Sequence, residues 1–235
     1  MLGLGVAAFV AAVVGGLAGL GSAIMMIPVL TFTVGIRDAV PIVTLAVMMQ
    51  TWSRVWVNRS LIDWRVVRWF MAGALPASVL GAVAFASAPV GLLQKGLAVF
   101  LLLVVAYRHS PFARQMPFPA RVFAGVGVGQ GFLSAVFGGA GPFGASFFLA
   151  YGLRRGAFVG TMASAMTLIN MVKLGVYGTY SLLDGEGLAL ALTLGAVMVV
   201  GAYVGGVIVN RVSDRAFVAI VEGVIVVAAI SLLVR

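Results

Sequence analysis

Cysteine is absent from this 235-residue chain, which closes disulfide, thiolate–metal and thiol-redox chemistry together. Charge is almost as scarce. Only 9% of the residues are Asp, Glu, Lys or Arg, where a soluble domain carries roughly a quarter. The 6 acidic residues and 1 histidine do not form the clusters that acid–base, nucleophilic or metal catalysis requires. No enzyme, no resident metal and no cofactor is therefore expected.

What the chain has instead is apolar surface. Its residues are 63% hydrophobic, with a mean hydropathy of +1.17. Residues 1–36, 69–94, 122–153 and 187–210 contain no charged side chain. A helix needs about 20 apolar residues to cross the hydrocarbon core, so each run is long enough. Backbone groups in lipid must be satisfied internally, which leaves helices or closed barrels. The runs are continuous rather than alternating, which excludes a barrel. The sequence predicts an all-α polytopic membrane protein whose first partner is the lipid bilayer. The start, Met1-Leu2-Gly3, has no basic region or evident cleavage site, so no removable signal peptide is expected. The longest polar connector is Arg108–Arg121, which leaves no room for an extramembrane domain. The net charge of +9 sits mostly in short connectors, where it sets topology, and does not form a nucleic-acid surface. These features suit a multi-pass protein of a bacterial-type inner membrane.

Eight apolar segments can be drawn, at 3–34, 39–57, 66–86, 92–107, 122–151, 156–175, 188–209 and 216–234. Turn residues and charges separate them. A connector with Pro111, Pro117 and Pro119 divides a first membrane repeat, 1–110, from a second, 122–235, across residues 111–121. A gapless shift of 117 lays residues 18–49 on 135–166 and makes eight positions identical, among them Gly21/Gly138, Gly35/Gly152, Arg37/Arg154 and Thr44/Thr161. Ser60-Leu61-Ile62-Asp63 recurs as Ser181-Leu182-Leu183-Asp184. Such internal symmetry is common in transporter folds.

Charge placement differs between the halves. Arg59, Arg65 and Arg68 mark the first repeat's connector as cytoplasmic, whereas its counterpart, 178–187, holds only Asp184 and Glu186. The repeats then face opposite ways, which requires an odd number of crossings in each. The first segment of each offers a solution. Both are about 30 residues long and carry glycine mid-way, at Gly15 through Gly21 and at Gly138 through Pro142. Gly costs about 1 kcal/mol in a helix interior and Pro about 3. Two half-helices joined by such a loop would enter and leave by one face, giving a re-entrant hairpin plus three transmembrane helices per repeat. The alternative is a straight crossing helix whose glycines permit close packing, since Gly15/Gly19 and Gly201/Gly205 are GxxxG pairs.

At these residues the chain resembles a family. The run Gly16-Leu17-Ala18-Gly19-Leu20-Gly21-Ser22-Ala23, followed by Ile27-Pro28-Val29-Leu30, resembles the first motif of the TauE/SafE sulfite exporters. Gly131-Phe132-Leu133-Ser134 leading into Phe137-Gly138-Gly139-Ala140-Gly141-Pro142 is similar to its second-repeat version, and Ile62-Asp63-Trp64-Arg65 to the Val/Ile-Asp-Trp-Arg that closes the second segment. Ser22 and Ala23 stand where further glycines are usual. The resemblance implies a secondary transporter, an exporter or permease, for sulfite or another small organosulfonate.

The residues point to an anion independently. A helix beginning in mid-membrane turns unpaired N–H groups and a positive dipole end towards the loop before it. Gly19, Gly21 and Ser22 on one side, and Gly138, Gly139, Gly141 and Pro142 on the other, are the candidate substrate-binding residues at two such ends. Thr44, Thr51 and Arg54 share a helical face, and Thr161, Ser164 and Thr167 step along the equivalent helix, with Asn170 beyond. Of these, Thr44, Thr51, Thr161 and Ser164 are the further candidate ligands. Their competing role is a bond to their own helix backbone. Gln50 could be packing glue. Arg54 and Lys173 lie near helix ends, where snorkelling to headgroups is the commoner explanation. Glu222, within the last apolar segment, is the candidate for carrying a coupling proton. His109 is expected to be exposed, and Trp52, Trp56, Trp64 and Trp69 read as an interfacial belt.

A passive anion channel and a structural membrane subunit, held in a homodimer or larger assembly by its GxxxG surfaces, remain the competing readings. The topology is testable at once. Single cysteines replacing Ser60 and Ser181 should differ in reactivity towards an impermeant thiol reagent applied from outside. Equal labelling would leave eight straight crossings.

Overall fold

The computed structural model describes residues 2–18, 22–108, 118–153 and 155–208. Among them every regular element is helical. The first apolar segment forms α1 (Leu2–Ala18) and α2 (Ser22–Val34). The next three form α3 (Ile36–Asn58), α4 (Trp64–Ser87) and α5 (Val90–Arg108). The fifth divides into α6 (Phe123–Phe137) and α7 (Gly141–Ala150), and α8 (Arg155–Thr179) and α9 (Gly185–Ile208) follow. Gly19, Gly21, His109, Arg154, most of the central connector and the eighth segment with Glu222 lie outside the described residues.

Both glycine-rich segments are therefore two helices each. The other boundaries have local causes as well. Asp63 caps α4, its Oδ1 accepting from the backbone N–H groups of Arg65 at 3.0 Å and Val66 at 3.1 Å. Arg37 donates to the carbonyls of Ala86 at 2.9 Å and Ala88 at 2.7 Å, satisfying acceptors at the end of α4 that have no helical partner. Gly35 and Gly152, identical in the two repeats, follow α2 and α7 with φ of 85° and 101°. A side chain rarely adopts that conformation, which gives this repeat match a physical reason.

Packing joins the two repeats reciprocally. α1 lies along α9, and α6 along α4, so the first arm of each broken pair is held by the other repeat. α3 packs on α8 and α9, and α8 on α3 and α4. α3 and α8 run antiparallel: Thr51 meets Thr167, while Asn58, at the end of α3, sits against Gly160 near the start of α8. The turn after α3 (Arg59–Leu61) thus shares an end of the molecule with the start of α8. Gly187, at the start of α9, lies near Ile42 in the opening turns of α3, so the connector after α8 is at the other end. α7 folds back on α6. Tyr151, just past α7, packs on Phe123, at the start of α6, with ring centroids 5.4 Å apart.

Among the described residues, four stretches are long and apolar enough to cross a membrane: Trp64–Ser87, Ala120–Phe137, Gly156–Thr179 and Gly185–Gly205. α3, at 23 residues, is long enough but carries Gln50, Thr51 and Arg54. Its polar side chains are turned inward, with Gln50 and Thr51 buried. Large apolar residues such as Leu75, Leu80, Leu103 and Val200 face outward, as lipid contact requires, and all four tryptophans are exposed. The membrane-protein reading stands: this is a multi-pass, all-helical chain.

Close helix contact depends on glycine. A Cβ on Gly73 would meet the carbonyl oxygen of Ala124, one on Gly127 that of Phe70, and one on Gly205 would stand 2.5 Å from that of Val13. The Gly201/Gly205 pair is thus occupied by α1 of the same chain. Backbone cannot retract as a flexible side chain does, so the helices must separate. Gly73→Ala, Gly127→Ala and Gly205→Ala should each destabilise by ~1–3 kcal/mol or more, seen as lost monodisperse yield and lower Tm in detergent. Gly125→Ala, with open space around its Cβ position, should be neutral.

Candidate functional site

The two breaks touch. A Cβ on Gly139, in the turn between α6 and α7, would stand 2.7 Å from the Cβ of Ala23 in the first turn of α2. Gly138 ends α6 in the left-handed region, with φ 78°, and the space a side chain would need there is filled by Ile27. Only glycine fits both demands. Beside this contact is a cavity of about 40 Å³, lined by Ser22 and Ala23 from α2, Gln50, Thr51 and Arg54 from α3, Gly138 to Gly141 from the second break, and Asn170 from α8. The volume suffices for a few ordered waters or one very small solute.

Each break is tied down by a polar side chain of a neighbouring helix. Gln50 accepts from the Ser22 hydroxyl at 2.7 Å and donates to the Ala12 carbonyl at 3.5 Å, linking the two sides of the first break. Lys173 does the equivalent at the second. Its Nζ donates to Asn170 Oδ1 at 3.2 Å, and to Ser134 Oγ and the Gly138 carbonyl at 3.4 Å each. Tyr177, one turn further along α8, donates to the Ala135 carbonyl at 2.6 Å. The C-terminal carbonyls of α6, left open by the break, are met in this way.

The site's electrostatics are one-sided. Among the described residues, Arg54 is the one charged side chain lining the cavity and no carboxylate lines it. Its Nη2 is buried and has no hydrogen-bond partner among the described residues. Lys173 stands behind the wall with neutral oxygens as its partners. α2 and α7 both begin at the cavity, and a helix N-terminus carries roughly half a positive charge. Among the described residues, the full charge that lines this space is positive, and both helix starts that meet there add to it.

The sequence candidates divide accordingly. Ser22, Thr51, Gly138, Gly139 and Gly141 line the cavity. Pro142 occupies the first turn of α7, where its missing N–H costs nothing. Thr44 and Ser164 do not line it, and their hydroxyls are bonded to Val40 and Gly160 of their own helices. Thr161, fully buried, accepts from the backbone N–H of Asp63 at 2.9 Å and so fastens the connector after α3 to α8. Gly19, Gly21 and Glu222 lie outside the described residues.

Two cations depart from the snorkelling expected of residues near helix ends: Lys173 is fully buried and Arg54 lines the cavity. The available signal was the absence of an acidic residue at helical spacing from either.

The Thr161 contact makes a separable claim. Thr161→Val leaves a buried N–H unsatisfied and should cost ~1–2 kcal/mol. Thr44→Val, removing only a bond within its own helix, should cost less. Thermal unfolding in detergent compares the two.

The family model described as sulfite exporter TauE/SafE matches residues 4–232, across both repeats and both breaks. No curated protein and no solved structure matches the chain. A family model that covers nearly all of the sequence decides membership: the chain belongs to the TauE/SafE sulfite exporter family.

Proposed function

We propose that this protein is a secondary transporter that exports a small anion, such as sulfite or an organosulfonate, across the inner membrane. The observation that carries this reading is the meeting of two helix starts at one cavity where Arg54 is the charged lining residue and no carboxylate is present. An anion entering a low-dielectric site loses its hydration shell and needs fixed positive charge in return. Two helix N-termini and a guanidinium supply it, whereas a bare cation would meet that positive charge with no carboxylate among the described lining residues to offset it. Ser22 and Thr51 add hydroxyls to the wall; in this conformation they donate to Gln50 and to the Met48 carbonyl, and they would turn to a sulfonate or sulfite oxygen on binding.

In this reading the two repeats, 1–110 and 122–235, are inverted, and each broken pair is re-entrant. The fold-back of α7 on α6 and the reciprocal contacts of α1 with α9 and α6 with α4 support it. The end carrying Arg59, Arg65 and Arg68 faces the cytoplasm. Rocking of one repeat against the other around the cavity gives alternating access, the usual scheme where a site lies between repeats. Glu222 is the proposed carrier of a coupling proton.

The glycine breaks are the direct test. Gly139→Val presses a branched side chain against Ala23, and Gly141→Val fills cavity space at the start of α7. Both should cut sulfite flux into proteoliposomes by at least about tenfold, the loss that misplacing a site by an ångström produces, while the protein still inserts. Sulfite, sulfoacetate and related anions should compete with one another, and cations of similar size should have no effect. Normal transport by both variants, or a cationic substrate, overturns the site. Flux that persists without trans-acceleration by unlabelled substrate would make the protein a channel.

A further inference from the structure

A second, smaller cavity of about 10 Å³ adjoins the first and shares Thr51, Arg54 and Met166 with it. Its remaining lining comes from Phe158, Val159, Met162 and Ala163, all in the opening turns of α8. Because α3 and α8 are antiparallel, these turns lie beside the last turns of α3. The second cavity therefore extends from the central one towards the end that carries the turn after α3 (Arg59–Leu61). Arg54 lines both spaces, with its buried Nη2 uncommitted among the described residues.

We propose that the seam between the last turns of α3 and the first turns of α8 is the route by which the anion passes between the central cavity and this basic end, with Arg54 as its charge filter. The proposal rests on the anion-transport reading above. A buried guanidinium with an unused donor is costly unless something occupies that donor. A passing anion would do so, at the point where both spaces can be reached. The room in the seam is about that of one water, so the route is closed in this conformation. What closes it is soft. Met162 and Met166 have unbranched thioether chains that can swing aside without repacking a helix. Beyond them, Asn58 and Leu61 rest on Gly160 and Gly156 and cover the outer end. Arg54 is specific to this role because it is placed before the central site on the path, whereas Lys173 is held by three oxygens behind the wall.

The chain has no cysteine, so single thiols can be introduced into the intact protein. Ala163→Cys and Val159→Cys would be reconstituted in vesicles and exposed from the Arg59 side to methanethiosulfonates of equal size, one anionic and one cationic. The anionic reagent should react about tenfold faster or more, the scale at which a charged cleft steers ions. Sulfoacetate, which does not attack the mixed disulfide, should slow the reaction. Adding Arg54→Gln should abolish the preference for the anionic reagent, and Arg54→Lys should retain it. Val200→Cys, on the outer surface, should show no such preference. If the parent protein carries anions while both seam cysteines are inert, or react equally with the two reagents, the route is wrong and the central site stands. If the parent carries no anion, the transport reading fails and the route falls with it.

Discussion

A helix that stops inside a membrane protein leaves up to four N–H groups at one end and four carbonyls at the other without helical partners, and lipid offers none. Both breaks in this chain create that situation, and much of the interior answers it. Gln50 ties the two arms of the first break together, through a carbonyl inside α1, that of Ala12, and the hydroxyl of Ser22. Lys173 and Tyr177 take the carbonyls at the end of α6. The remaining groups, the N–H donors at the starts of α2 and α7, face a shared cavity. The structural demand and the proposed anion site thus fall at the same helix ends.

This explains why the helix least suited to lipid is packed inside. α3 carries Gln50, Thr51 and Arg54, which lower its hydropathy but serve the breaks and the cavity. α8 is its counterpart, supplying Thr167 against Thr51 and Asn170 and Lys173 at the second break. The outer helices have no such duties and present leucine and valine to the surroundings. Basic residues likewise fall into two groups: most lie in connectors, whereas Arg54 and Lys173 are placed in the interior.

Glycine also has two uses, and composition cannot separate them. Gly138 is required for its backbone conformation, and Gly139 for the close approach of the second break to α2. Gly73, Gly81, Gly127 and Gly131 sit in unbroken helices and admit a neighbour's backbone. The seven-residue run Gly125 to Gly131, dense in glycine, is continuous α6; the shorter cluster at Gly138 to Gly141, with Pro142, is where the helix ends.

The sequence by itself determined the helical, membrane-embedded character, the glycine-rich stretches where the helices divide and the paired glycines at 35 and 152. Each depends on composition or on interactions within a few residues, which a linear reading contains. Only the tertiary structure decided which polar side chains serve the cavity. Thr44, Thr51, Thr161 and Ser164 are equivalent as sequence, since a hydroxyl on an apolar helix can bond its own backbone, a neighbouring helix or a cavity. Rotation of α3 against α8 brings Thr51 to the cavity wall, where it donates to Met48 of its own helix and accepts from Thr167, and sends Thr161 to Asp63, while Thr44 and Ser164 bond within their helices away from the cavity. The burial of Lys173 was hidden for the same reason. Its distance from the helix end is local, but the oxygens that receive its charge come partly from α6, some 35 to 39 residues away along the chain.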